Sequence, residues 1–225
     1  MKNQGLVVIT GASRGIGLGL LRHYLEQGRS VVAACRQPEQ LAELSRSYAN
    51  CQVLSLDLAD EASIDCFAKD VTLLGAIDLL VNNAGTTIDQ PFGQWTQAAF
   101  TESFCVNTVG PALLVQQLAP LFLKGAKVVQ LSSGLASIAT IATEQFCSYA
   151  LAKTALNMLT AKLALLCPEQ TVIAMSPGWV QTDMGGPEAP DTVEQLVPKF
   201  CSSLESLSKE HSGGFFDENG DALAF

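Results

Sequence analysis

Short apolar, β-branched runs alternate with longer helical stretches along the whole chain, and this alternation limits the fold more than any single motif. Strand candidates are residues 6–10, 30–35, 52–56, 77–81, 127–131 and 171–175, with a last short one near 214–216. Helical patterns occupy 15–27, 38–48, 61–74, 96–123, 149–166 and 192–207. Several of the strands are apolar throughout instead of alternating, as expected when helices cover both faces of a sheet. Strict β/α alternation implies parallel strands joined by right-handed crossovers. The expectation is a single α/β domain over residues 1–225, a Rossmann-type doubly wound sheet of about seven strands in the order 3-2-1-4-5-6-7. In such a sheet the ligand crevice lies at the carboxyl ends of the strands.

Composition closes off several functions. The net charge is −9 and no basic stripe exists, which argues against nucleic acid as a partner. The seven cysteines (35, 51, 66, 105, 147, 167 and 201) are scattered without a CxxC pair, as buried free thiols of a reducing compartment are. The two histidines, His23 and His211, sit in no ligand cluster, so no metal site is expected. The N-terminal apolar run is shorter than a signal peptide requires, and no uninterrupted apolar run reaches the length of a membrane span. A soluble, cytoplasmic protein without a membrane partner is expected.

The first strand runs into Thr10-Gly11-Ala12-Ser13-Arg14-Gly15-Ile16-Gly17 and then directly into a helical pattern. Glycines let the backbone turn tightly and approach a pyrophosphate, and the helix N-terminus adds free N–H groups and a positive dipole end. The glycines fall as G-x-x-x-G-x-G, not as G-x-G-x-x-G. The second strand ends Ala33-Ala34-Cys35-Arg36, with no carboxylate where an NAD site holds the ribose 2′-hydroxyl. Arg36, with Arg14 nearby, suits a 2′-phosphate instead, so NADP(H) is the expected cofactor. Asp57 and Leu58 follow the third strand; Asp57 suits either an adenine amino group or the N-cap of the next helix. The fourth strand ends Asn82-Asn83-Ala84-Gly85, small and amide residues that let backbone and side chain meet a nucleotide.

Tyr149 and Lys153 stand four residues apart and so share one helix face. A free phenol loses its proton near pH 10, and an ammonium close by favours the phenolate. Such a tyrosine can act as a general acid toward a carbonyl oxygen or a general base toward an alcohol, with no histidine needed. Residues 177–190, rich in Pro and Gly after the sixth strand, read as a surface loop or a mobile lid.

The ordered set TGASRGIG, NNAG, Asn107, a serine-bearing fifth strand, YALAK and SPGWVQT resembles the short-chain dehydrogenases/reductases over essentially the whole chain. The closing Ser212-Gly213-Gly214-Phe215-Phe216-Asp217 is similar to the C-factor-like and sniffer-like carbonyl reductases of that family. The resemblance implies that Ser133 holds the substrate oxygen beside Tyr149. It implies that Lys153 also binds the nicotinamide ribose, and that Asn107 breaks its helix locally and holds a water. It implies that Pro177, Gly178, Val180 and Thr182 meet the nicotinamide carboxamide. Ser133 stands 16 residues before Tyr149, a longer interval than is usual in the family. The usual interval would land on Ala136, so a longer loop is expected.

Together these readings give an NADPH-dependent enzyme reducing a ketone or aldehyde, with a small-molecule carbonyl or alcohol as partner. The alternative is a regulatory or signalling protein of the C-factor type with little turnover. Phe92, Trp95, Leu135, Phe146, Trp179 and Met184 are candidates for an apolar substrate wall. Family members often pair through two long helices, which implies a homodimer or homotetramer.

Overall fold

The computed structural model of the chain describes residues 5–141 and 143–225. Seven strands form one parallel sheet: β1 (Leu6–Thr10), β2 (Val31–Cys35), β3 (Cys51–Ser55), β4 (Ile77–Asn82), β5 (Phe122–Leu131), β6 (Thr171–Met175) and β7 (Phe215–Phe216). Their order is β3-β2-β1-β4-β5-β6-β7, as expected from the alternation. The helices are α1 (Gly15–Glu26), α2 (Ala42–Ser47), α3 (Glu61–Thr72), α4 (Gln97–Phe104), α5 (Gly110–Leu118), α6 (Cys147–Leu166) and α7 (Val193–Ser206).

The sheet divides the core into two layers. Val7, Ile9, Val31, Ala33, Val129 and Ile173 face one way and pack with Leu20, Leu21, Leu196 and Phe200 of α1 and α7. Val8, Val32, Leu80, Val128 and Val172 face the other way, against Ile64, Phe67, Leu114, Leu118 and Leu163 of α3, α5 and α6. The central strands are therefore largely apolar without alternation, because alternate side chains enter two different cores. Strand order reverses between β1 and β4, and the glycine turn after β1 lies at this switch point.

Three elements differ from the expectation. Strand β5 begins at Phe122, where it pairs with Ile77 before a register shift to Leu79–Lys127. The segment expected as a helix over 38–48 opens as a 3₁₀ turn, Pro38–Leu41, with proline at its start, and only then becomes α2. The helix expected over 96–123 is interrupted by a π-helical turn, Cys105–Val109, and closes in a 3₁₀ turn, Ala119–Leu121. Pro111 explains the interruption, because it has no N–H to give the Asn107 carbonyl four residues back.

The same run, Gln97–Leu121, is long and apolar enough by length and composition to cross a membrane. The sequence reading missed it because polar residues interrupt the apolar ones. Leu114, Val115 and Leu118 of this run are packed in the core beside the sheet.

Candidate active site

The glycine turn is locked to the end of β4 by hydrogen bonds. Asn83 Nδ2 donates to the Thr10 carbonyl at 2.7 Å and to the Gly11 carbonyl at 3.2 Å. Ala84 N donates to Thr10 Oγ1 at 3.0 Å. Gly11 has φ +65°, and a Cβ there would stand 2.9 Å from Ala84 Cα. A Cβ on Gly17 would stand 2.3 Å from the Gly11 carbonyl oxygen, so this glycine sets how closely α1 packs on the turn. Arg14, at the N-cap of α1, is extended and makes no side-chain cap, so no side chain caps the helix N–H groups. The glycines leave backbone where a side chain would fill the cradle, and this fits a dinucleotide phosphate. Gly17→Ala is expected to overpack the turn by about 1–3 kcal/mol, lowering the melting temperature by about 2–10 °C. Dinucleotide binding should weaken with it; calorimetry and a cofactor titration read the two effects.

A cleft of about 280 Å³ opens along this turn and across the carboxyl ends of the strands. Gly11, Ser13, Arg14, Gly15, Ile16, Arg36, Asp57, Leu58, Asn83, Ala84, Gly85, Tyr149, Lys153, Pro177 and Thr182 all line it. Gly17 is buried behind the turn. Val180 is buried and pairs with Asp191, so of the segment after β6 only Pro177 and Thr182 face the cleft from the expected set. Gly178, at φ +75°, turns beside the Glu218 carboxylate.

Arg36 is exposed at the end of β2 and forms no ion pair among the described residues. Arg14 does not stand free beside it: its Nη1 donates to Asp183 Oδ2 at 2.8 Å. Asp57 is not the cap of α3. Its Oδ1 accepts from Ala59 N, while Asp60 Oδ1 accepts from Ala62 N at the helix start. The Asp57 carboxylate is thereby fixed at the cleft wall.

Helix α6 begins two residues before Tyr149, which puts Tyr149 in the first turn and Lys153 in the second. The chain enters it through Phe146, the one residue other than glycine with positive φ (57°) among those described. Phe146 N donates to Asp89 Oδ1 at 2.9 Å. Lys153 is 3% exposed, and its Nζ donates to the Leu131 carbonyl at the end of β5 at 2.7 Å. Its Nζ lies 5.7 Å from the centre of the Tyr149 ring. Burial pulls the Lys153 ammonium down to about 7. Burial pushes the Tyr149 phenol up to about 12, with a hydrogen bond to the Ser133 side chain acting in the opposite direction. The expected acidic phenol is therefore not what the chain alone provides. Desolvation is the dominant cause at both groups. What the site holds near neutral pH is a protonated phenol beside an amine that readily gains or loses its proton.

Ser133, just beyond β5, caps the 3₁₀ turn Gly134–Ala136 by accepting from Leu135 N, and its side chain is hydrogen-bonded to Tyr149. Among the described residues of the interval between them, 137–141 and 143–146 form neither helix nor strand. Asn107 is fully buried within the π turn. Its Nδ2 donates to the Thr86 and Ser103 carbonyls, each at 2.9 Å, and its Oδ1 accepts from Thr86 N at 3.1 Å. Gly85 separates it from Lys153: a Cβ there would stand 2.9 Å from Asn107 Oδ1 and 3.6 Å from Lys153 Nζ.

Beyond the expected residues, Thr86, Glu102, Val106, Ser132 and Asp183 also line the cleft, and the Thr10 hydroxyl, at the last strand position before the turn, holds Ala84 N. The apolar wall divides in two. Met184 lines the cleft and Trp179 is held beside it by Nε1 donating to the Gly185 carbonyl. Phe92 is 88% exposed and stacks edge-on with Trp95, which meets Phe100, in a separate surface cluster.

The family model described as short chain dehydrogenase matches residues 5–192. The C-signal of Myxococcus xanthus is 35% identical over 159 residues, covering 68% of this chain and 95% of that protein. Human L-xylulose reductase is 35% identical over 184 residues, 80% of this chain and 73% of that protein. The NADPH-bound carbonyl reductase from chicken fatty liver superposes with a TM-score of 0.93 at 32% identity, over 97% of this chain and 98% of that one. The carbonyl reductase Sniffer of D. melanogaster gives 0.93 at 28% identity, over 99% and 100%. With a matching sheet order and matching sequence over most of its length, this chain belongs to the short chain dehydrogenase family.

Proposed function

We propose that the protein reduces a ketone or aldehyde to an alcohol with NADPH, with Tyr149 as the general acid. The observation that carries this reading is that Tyr149 and Lys153 both line the cleft that begins at the glycine turn, with the Ser133 side chain hydrogen-bonded to Tyr149. Ser133 donates to the substrate oxygen and holds it against the Tyr149 hydroxyl. Tyr149 gives its proton to that oxygen as negative charge develops there. Lys153, poised near neutrality, restores the proton to Tyr149, and its ammonium form stabilises the phenolate while the transfer is under way. A bound NADPH supplies the hydride.

Ser13, Gly15, Ile16 and the α1 N-terminus receive the pyrophosphate, Arg36 the 2′-phosphate, and Asp57 with Leu58 the adenine. Asn83, Ala84 and Gly85 follow the ribose, and Pro177 and Thr182, which face the cleft, the carboxamide. Similar structures with the phosphorylated dinucleotide bound, the chicken fatty liver carbonyl reductase with NADPH and a Burkholderia multivorans short-chain dehydrogenase/reductase with NADP, support this choice of cofactor. Met184 and Trp179 give the substrate side an apolar, aromatic rim, which favours hydrophobic or aromatic carbonyl compounds.

The test is NADPH oxidation with a panel of quinones, diketones and aromatic aldehydes, run beside NADH. Turnover with at least one aromatic carbonyl, faster with NADPH, is expected. Arg36→Asp should reverse the cofactor preference, weakening NADPH by about 10-fold or more and NADH far less, since a charge-assisted contact of about 1.5–3 kcal/mol becomes a repulsion. An unchanged ratio of the two affinities removes Arg36 from the 2′-phosphate site. Similarity to a protein named C-signal keeps a second reading in play, a signalling protein that binds dinucleotide without turnover. Dinucleotide binding with no oxidation across the panel favours it.

A further inference from the structure

The loop after β6 comes back over the phosphate turn. Thr182 Cγ2 lies 3.2 Å from where a Cβ on Gly15 would stand. The next residue, Asp183, accepts from Arg14 Nη1 at 2.8 Å, and both side chains are largely exposed at the cleft mouth. The loop holds Asp183 in place through its own bonds. Gly185 N donates to Thr182 Oγ1 at 3.0 Å, Gly186 N to the Thr182 carbonyl at 2.9 Å, and Trp179 Nε1 to the Gly185 carbonyl at 2.7 Å. At its base, Gln181 N donates to the Asp191 carbonyl at 2.8 Å. Arg14 and Asp183 both line the cofactor cleft.

We propose that Asp183 is a specificity-determining residue: its carboxylate competes with a cofactor phosphate for Arg14 and thereby sets how strongly the cleft prefers a 2′-phosphorylated dinucleotide. This rests on the reading of the cleft as an NADP(H) site. A guanidinium pairs with either a carboxylate or a phosphate, and the two anions repel when they share one cation. An exposed carboxylate holds an arginine only weakly, so a dianionic phosphate displaces it. The displacement still subtracts from the affinity for the phosphorylated cofactor. It subtracts less from a cofactor without the 2′-phosphate, which offers Arg14 only its pyrophosphate and not that further dianion. Arg36, without an ion pair among the described residues, then provides the constant part of the preference and the Arg14–Asp183 pair the adjustable part.

The experiment is a fluorescence titration of NADPH and of NADH against the wild type, Asp183→Asn, Arg14→Gln and the double variant. Asp183→Asn is expected to tighten NADPH by about two- to fivefold, the range of an exposed ion pair. NADH should change by less than about twofold, and the gain should vanish once Arg14 is Gln. If the wild type prefers NADH, the cofactor reading falls and this inference falls with it. If the wild type prefers NADPH, the competition alone is overturned by an equal shift for both cofactors, by no shift, or by a gain that survives in the Arg14→Gln background.

Discussion

Tyr149→Phe lowers turnover of a carbonyl substrate by about 10²- to 10⁴-fold, the usual contribution of a positioned general acid, and leaves NADPH bound. The substitution removes one oxygen from a half-buried ring in the first turn of α6 and keeps its volume, so the helix and the cleft beside it persist. Steady-state rates and a cofactor titration on the same preparation separate chemistry from binding. The phenol is held up at about 12, so it stays protonated through pH 10. The reduction rate of the wild type should therefore show no loss from tyrosine ionisation between pH 6 and about 10. Equal rates for Tyr149→Phe and the wild type would remove the phenol from the reaction.

Lys153→Met makes a less active protein that melts at a higher temperature. Lys153 titrates near 7 in the folded chain and near 10.5 when unfolded, so between those values the unfolded chain binds more protons. Stability contributed by this group thus rises with pH from about 7 to about 10.5, and the full penalty for burying it applies below pH 7. A displacement of this size corresponds to an order of 3–5 kcal/mol near neutral pH. Part is offset because methionine leaves the Leu131 carbonyl without its donor, at a cost of about 1–3 kcal/mol. The net gain should raise the melting temperature by about 3–10 °C at pH 7 and fade by pH 10.5. The Tyr149 phenol acts oppositely: its folded value lies above 10, so its contribution is present below pH 10 and is lost as pH rises toward 12. Calorimetry of both proteins at pH 7 and pH 10 decides the matter. A lower melting temperature for Lys153→Met at pH 7 would mean that the hydrogen bond to Leu131 outweighs the desolvation.

The sheet and most of the cleft could be read from residues because their signals are local. Strands buried on both faces are apolar without alternation, and Val7, Val8 and Ile9 show this within three positions. The turn declared itself through glycines that must lie where a Cβ has no room. Local pattern failed where distant segments meet. Nothing near Arg14 in sequence signals Asp183, 169 residues away. Whether Asp57 faces the cleft or caps α3 depended on where β3 ends within a few residues. The acidity of Tyr149 was misjudged for a related reason. A four-residue spacing fixes which face two side chains share, but not how much water either keeps or which carbonyl claims the lysine.

The wide turn at Cys105–Val109 is in effect one surplus residue in an otherwise regular helix. Losing a single codon there would give a tidier helix. It would also rotate everything upstream by about 100° about the axis, parting Ser103 from the Asn107 side chain that now bonds both it and the Thr86 backbone. Descendants of this gene can therefore swap letters along that stretch, while its length is closed to editing.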